Sequence, residues 1–425
     1  MLSVYLFIAM QVGFANWNPD SVHTANNFQV GVDNLGFTDT YESSFWGSIK
    51  SSWFRLKRIN SKTLNVPEAF RNPLPITYYK QRKKIYERTR QHPGKNRKVR
   101  EYTYKTQRRP LIIYIPGIYN NPSSGQPRRA YQRFKEAGYH FIALPNPWST
   151  SYIKANPYGA KPGDVLHEAY SLRIAIDKAI ALIGKKHISN IELVGASYGA
   201  FVAAVIQAFE PKESALFTST TIISPPLDFR YTIPFLDEQM LSINGQVEDL
   251  KPSSKLKIFI NYLFAGFRTD IDEKYLKKAK PYTIQFGFKD GLLTAVKTYA
   301  EVHGLDWIPN FDTDEERKKW EEKLVFTSYF KTYAPELLRV LQSEFAFLHY
   351  WIQAAQTSGY SPRVITAQDD FLNPEFFPTK MTLLSYPENI FLRIPEGGHL
   401  GFLAFPWYDG FYQTVWKDIK KSSAL

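Results

Sequence analysis

A chain of 425 residues that is 44% hydrophobic and 16% aromatic can bury a large core, and its length allows one elaborated domain or two or three ordinary ones. The absence of cysteine excludes structural disulfides, thiolate catalysis and cysteine-based metal sites. The net charge of +13 directs attention to anionic partners, and its uneven spread along the chain is more telling than its size.

The chain opens with an apolar run from Leu2 to Met10. Val12-Gly13-Phe14-Ala15 then puts small residues at the two positions a signal peptidase reads, so residues 1–15 look like a secretory signal. The basic start of such signals is missing, the run is too short to span a bilayer, and no later stretch supplies about 20 uninterrupted apolar residues. The expectation is a soluble exported protein, periplasmic or secreted. Residues 16–75, rich in Asn, Ser, Phe and Trp, read as an irregular or β-like lead-in, with a core beginning at 76.

Strands are expected from 76 to 105, in a segment where Lys80, Arg82, Lys83, Lys84, Arg88, Arg90 and their successors to Arg109 meet few acids. Tyrosines alternate with these charges, and His92-Pro93-Gly94-Lys95-Asn96 supplies a turn, which predicts a β-hairpin with a solvated basic face. Such a stripe would also concentrate near anionic lipid or polyanions at low salt. No nucleic-acid motif accompanies it, and no nucleic-acid partner is expected.

A buried strand over 111–115 runs into Pro116-Gly117-Ile118, where Gly117 lets the chain turn and directs the Ile118 N–H toward a site. A helix near Arg128–Ala137, a strand over His140–Leu144 and a long helix over Val165–Ile183 follow. Next, the strand-like Ile191–Val194 meets Gly195-Ala196-Ser197-Tyr198-Gly199 and then the helix-like Phe201–Ile206. A serine at a sharp strand-to-helix turn has its hydroxyl exposed, and glycines at the flanks allow backbone approach that a Cβ would block. Ser197 is thus a candidate nucleophile, and the Tyr198 N–H, at the helix start, a candidate oxyanion donor. A strand over Thr218–Ile223 leads to Ser224-Pro225-Pro226-Leu227-Asp228. Alternation of strand and helix over this span predicts an α/β fold with a mostly parallel sheet, helices on both faces and a site beyond the strands' carboxyl ends.

About 170 residues separate Ser197 from the next strand-and-acid unit, more than the repeats require, so an insertion is expected over 229–358. Its runs at 255–264, 291–296 and 336–341 are helical in character, and an aromatic-lined helical cap there would exclude water and offer an apolar surface to a ligand. A helical extension packed beside the core is the plainer alternative. His349 falls in an apolar stretch and reads as a packed helix residue. The remaining segment, 359–425, holds a strand over Arg363–Ala367 followed by Gln368-Asp369-Asp370-Phe371-Leu372-Asn373-Pro374, and a strand over Asn389–Ile394 followed by Pro395-Glu396-Gly397-Gly398-His399-Leu400-Gly401-Phe402. His399, on a glycine-rich loop after a late strand, is the candidate base, and Asp370 the favoured acid. Asp369 is its close rival and Asp228 a third alternative.

These loops, over about 110–225 and 362–420, resemble the α/β-hydrolase superfamily. Gly397 to Phe402 and Asp369-Asp370 before Pro374 are similar to the histidine and acid loops of the branch with medium-chain acyl ester synthases and hydrolases. The chain departs from that pattern at Pro116-Gly117, where the family has His-Gly, and at Asn146-Pro147-Trp148-Ser149, in place of an arginine-glycine turn. The resemblance implies an α/β-hydrolase fold with a helical cap and a serine hydrolase of the carboxylesterase or lipase type, which the signal-like start would make an exported one. Its substrate would be a small ester or lipid-like molecule with an apolar acyl group, with no metal or organic cofactor. An amidase, peptidase or acyltransferase shares the same triad, and a non-catalytic envelope-binding protein is the alternative from another class.

Overall fold

The computed structural model describes residues 59–91, 98–211, 215–244, 279–360, 362–367, 369–373, 391–394 and 398–400. The expected signal segment, the lead-in up to residue 58, the hairpin turn, the 255–264 run and residues 401–425 lie outside these.

Continuous apolar runs such as Leu111–Ile115 suit strands covered on both faces, and the strands of the described chain assemble accordingly. They are β1 (Asn60–Leu64), β2 (Leu74–Tyr79), β3 (Arg82–Gln91), β4 (Lys98–Thr106), β5 (Arg109–Ile115), β6 (His140–Ala143), β7 (Ile188–Ala196), β8 (Ser219–Ile223), β9 (Arg363–Ala367) and β10 (Phe391–Ile394). Eight form one sheet in the order β1-β2-β6-β5-β7-β8-β9-β10, while β3 and β4 pair separately. Every neighbouring pair from β6 to β10 is parallel; β2 is antiparallel to both β1 and β6, so β2 alone runs against the rest. The core therefore reaches back into the segment expected to be a lead-in: β1 is an edge strand of the sheet, and the boundary at 75/76 falls inside β2. Pairing of Leu64 with Leu74 and burial of both is what ties this stretch to the sheet.

Alternate residues along each strand feed two cores. Leu111, Ile113, Ile115 and Leu193 face one cluster with helices α3 (Val165–Ile183) and α4 (Tyr198–Ala208), whereas Ile112, Tyr114 and Val194 face a second with α1 (Gly125–Glu136) through Tyr131 and Phe134. A short helix that the sequence reading did not anticipate, α2 (Thr150–Ala155), is started by Ser149, whose hydroxyl accepts from the Tyr152 N–H.

After β8 come α5 (Phe229–Ser242), α6 (Ala279–Ile284), a π-turn at Gln285–Lys289, α7 (Asp290–His303), α8 (Asp314–Lys323), α9 (Phe326–Tyr333), α10 (Pro335–Leu341) and α11 (Leu348–Thr357). Buried Asp237 on α5 accepts from the N–H groups of Phe326 and Thr327, which fastens the start of α9 to α5. The final helix of this span, α11, packs against α4 beside the sheet, with Trp351 against Phe209, so it is placed with the core helices rather than with the others.

His140 and His349, unassigned to chemistry in the sequence, have packing roles. The His140 Nδ1 accepts from the Gln81 N–H, so its Nε2–H faces the carbonyls of Gln107 and His187, and burial lowers its pKa. Burial on α11 pushes His349 down to about 4.

Candidate active site

The chain visits β5 and β6 on one side, then crosses back so that β7 pairs with the opposite edge of β5. Loops leaving the carboxyl ends of β5 and β7 diverge at such a reversal and open a crevice between them. Ile115 pairs with Gly195 at the ends of these two strands, so the Gly117 loop and Ser197 emerge side by side. A Cβ on Gly117 would lie 3.2 Å from that of Ser197.

Ser197 has φ 53° and ψ −127°, the left-handed region that non-glycine residues avoid, and the turn is held by the Ser197 N–H donating to the Ile223 carbonyl at 2.8 Å. Its neighbours have no room for side chains. A Cβ on Gly195 would meet the Gly199 carbonyl oxygen at 2.4 Å, and one on Gly199 the Pro116 oxygen at 2.3 Å. The two glycines of the pentapeptide are thus required by close backbone approach.

The hydroxyl of Ser197 lies 2.9 Å from the His399 Nε2, and the His399 Nδ1 lies 3.0 and 3.1 Å from the two oxygens of Asp370. With the imidazole Nδ1–H donating to the carboxylate, Nε2 is left to accept from the serine hydroxyl. Asp370 is buried and oriented by its own turn: Oδ1 accepts from the Leu372 N–H, and the Asn373 N–H donates to its carbonyl. The Phe371 ring meets the imidazole edge-on at 5.4 Å between centroids.

The two rival acids have other duties. Asp369 accepts from the Gly398 N–H at 2.8 Å and so positions the loop that carries His399. Asp228 caps α5 through the Arg230 N–H and pairs with the Arg230 guanidinium. Tyr198 is the first residue of α4, where an amide has no acceptor within the helix, and Ile118 lines the crevice opposite it.

Several residues with no predicted role in the site hold these loops. The Gln126 side chain accepts from the Gly117 N–H at 2.7 Å, and buried Asn146 donates to the Pro116 carbonyl at 2.8 Å. Buried Asn373 accepts from the Leu227 N–H and donates to the Pro225 carbonyl, joining the acid turn to the loop after β8. Side-chain amides at loop positions were the only signal available, and without the fold nothing tells a loop clip from a solvated residue. Glu168 on α3 is fully buried: it accepts from the Tyr198 hydroxyl at 2.5 Å and from the Gly163 N–H at 2.8 Å. Burial outweighs these hydrogen bonds and pushes its carboxyl up to about 8.

Beside Ser197 lies a partly open apolar pocket. Its floor is Ile118, Ser197, Tyr198 and Leu372; its roof includes Phe229, Ile233 and Leu236 of α5, Phe288 of the π-turn, Phe326 and Phe330 of α9, and Leu341 of α10. Trp148 joins floor to roof, meeting the rings of Tyr198, Phe326, Tyr329 and Phe330 at 5.4–6.3 Å. The departure from the family pattern at 146–149 thus has a structural meaning: an aromatic hub and a loop clip stand there.

One strand against seven, a reversal at β5, a strained serine elbow after β7 and acid and histidine loops after β9 and β10 define the architecture. The fold is the α/β-hydrolase fold. No family model and no curated protein matches the sequence. Among solved structures, the chain is similar to an esterase of Pyrococcus furiosus at 9% identity and a TM-score of 0.44, covering 86% of this chain and 90% of that one. A proline iminopeptidase of Mycobacterium smegmatis gives 12% identity and a TM-score of 0.39, covering 86% and 100%. Est1E of Butyrivibrio proteoclasticus gives 11% identity and a TM-score of 0.39, covering 86% and 99%. Likenesses at this level say nothing about chemistry, and the hydrolase fold is defined here by its own strand order and elbow.

Proposed function

We propose that the protein is a serine hydrolase that cleaves carboxylic esters with an apolar acyl group. The observation that carries this reading is the hydrogen-bonded series of Ser197, His399 and Asp370 opening onto a pocket lined almost wholly by hydrocarbon. In this reading His399 takes the Ser197 proton as the hydroxyl oxygen attacks the ester carbonyl, and Asp370 stabilises the imidazolium that forms. The amides of Tyr198 and Ile118 receive the developing oxyanion. The imidazolium then protonates the leaving alcohol. Water, deprotonated by His399, releases the acyl group and restores the serine. The pocket roof limits access of water and provides an apolar surface for the acyl chain.

Export, and a helical cap within the 229–358 insertion that leaves α11 with the core, belong to the same proposal. Among the described residues, no helix is long and apolar enough to cross a membrane. Two measurements test the chemistry. Ser197→Ala lowers turnover of a short p-nitrophenyl ester by about 10⁴-fold or more, and a fluorophosphonate probe labels the native chain stoichiometrically but not the variant. Undiminished turnover in Ser197→Ala overturns the assignment. A panel of esters, peptide amides and acceptor alcohols distinguishes ester hydrolysis from amide hydrolysis and acyl transfer.

A further inference from the structure

We propose that the β3–β4 hairpin is an arm that docks the protein on an anionic lipid surface. Residues 80–109 hold thirteen of the 53 Lys and Arg but only two of the 40 Asp and Glu, so thirty residues carry +11 of the chain's +13. The rest of the molecule is close to neutral. This charge is concentrated on a two-stranded ribbon that stands apart from the main sheet.

The ribbon leaves the sheet after Tyr79 and returns at Arg109, beside the amino ends of β5 and β6, which is the edge opposite the Ser197 loops. Its base is pinned where the Gln107 N–H donates to the Gln81 carbonyl and the Gln81 N–H to His140. Two-stranded ribbons normally bury one face on a core. Here large side chains stay in solvent: Ile85 is 56% exposed, Tyr86 57%, Tyr104 53% and Tyr102 42%. In the register, Tyr104 lies opposite Lys84 and Tyr102 opposite Glu87, while Tyr86 lies opposite Thr103, and Lys83 opposite Lys105. The register shift between Lys84 and Tyr86 leaves Ile85 as an extra residue on its strand. The Lys84 ammonium sits 4.2 Å from the Tyr102 ring centroid.

Cations alone would satisfy any polyanion. The apolar component selects among them, because tyrosine rings favour the boundary between headgroups and acyl chains, and an aliphatic Ile85 has no base to stack on but can enter that boundary. Lysines and arginines beside them supply the attraction to anionic headgroups. Docking through this edge leaves the pocket unobstructed, and the inference does not rest on the proposed activity.

Vesicle co-sedimentation of the full chain tests it. Binding to phosphatidylcholine vesicles with about 30 mol% phosphatidylserine is expected to exceed binding to pure phosphatidylcholine by about tenfold or more, and to fall as NaCl rises from about 50 to about 500 mM. Lys83→Glu with Lys105→Glu lowers that binding about tenfold or more and flattens its salt dependence. Ile85→Ser with Tyr86→Ser weakens binding while keeping the salt dependence. These positions are remote from the triad, so turnover of a soluble ester should not change, which also reports folding. Equal binding to both vesicle types, or no loss in either variant, overturns the proposal. So does tighter binding to single- or double-stranded oligonucleotides than to the anionic vesicles at equal salt, which would assign the ribbon to nucleic acid.

Discussion

The floor and the roof of the pocket are built by different means. The floor, from Ile118 to Leu372, is held in place by backbone: a serine at positive φ, two glycines with carbonyls 2.3–2.4 Å from where a Cβ would stand, and loops clipped by Gln126, Asn146 and Asn373. Above it, the roof is made of side chains, a set of Phe, Ile and Leu from α5, α9 and α10 held together by packing and by one buried carboxylate, Asp237. Backbone constraints tolerate almost no substitution, whereas an apolar surface can be reshaped with little cost if its volume is kept. The floor should therefore govern whether the reaction occurs, and the roof which substrate it accepts.

The sharpest way to break that division is at Asp370, the proposed acid. Asp370→Asn is expected to lower kcat/KM by about 10⁴-fold, because an amide facing Nδ1 favours the wrong imidazole tautomer while leaving the geometry intact. Asp369→Asn should cost only about tenfold, since Asp369 holds the Gly398 amide and not the imidazole. Equal losses measured in the two variants would mean that the acid is not assigned by the hydrogen bonds seen here.

How much of this was legible in the sequence follows the same line. The elbow was readable because its constraint is local: strand, Gly-x-Ser-x-Gly and helix are contiguous, and α3 was bounded at Val165 and Ile183 by its own apolar period. Position after a strand and chain order singled out His399 and Asp370, and the structure brings both to Ser197. What separates the rivals was not legible: Asp228 pairs with Arg230, and Asp369 bonds to a loop 29 residues away. What was not legible depends on contacts across long separations. β1 joins the sheet through pairing with β2, and Asn146 finds Pro116 across 30 residues. Trp148 gathers rings from helices nearly 180 positions further on, and no local pattern encodes that.

The roof is tested at Ile233, which lines the pocket and is only partly buried, so a larger side chain can be admitted without rebuilding the core. Ile233→Trp should leave fluorophosphonate labelling and acetyl-ester turnover within about threefold of wild type, yet shift kcat/KM against octanoyl esters by about tenfold or more through KM. A matching loss on acetyl and octanoyl esters would show that roof and floor are not separable.

The smallest expected effect concerns Glu168, which lies beneath both parts: it holds the Tyr198 hydroxyl of the floor and the Gly163 amide, next to the Phe330 ring of the roof. Its carboxyl ionises near 8 in the folded chain against an ordinary 4.5. Between those two values the native state keeps a proton that the unfolded state releases, so stability declines as pH rises from 4.5 to about 8 and levels off above. Asp164, Tyr152 and Tyr198 face the same group, and none of them supplies a compensating cation. Glu168→Gln removes the titration while keeping size and an acceptor oxygen. Its unfolding free energy from urea titration should match or fall slightly below wild type at pH 5, where both side chains are neutral in the folded chain, and exceed it at pH 8.5 by an amount on the order of a few kcal/mol. Parallel free-energy curves for the two proteins across this range would mean that the carboxyl under Tyr198 is ionised throughout, with water or a cation compensating it.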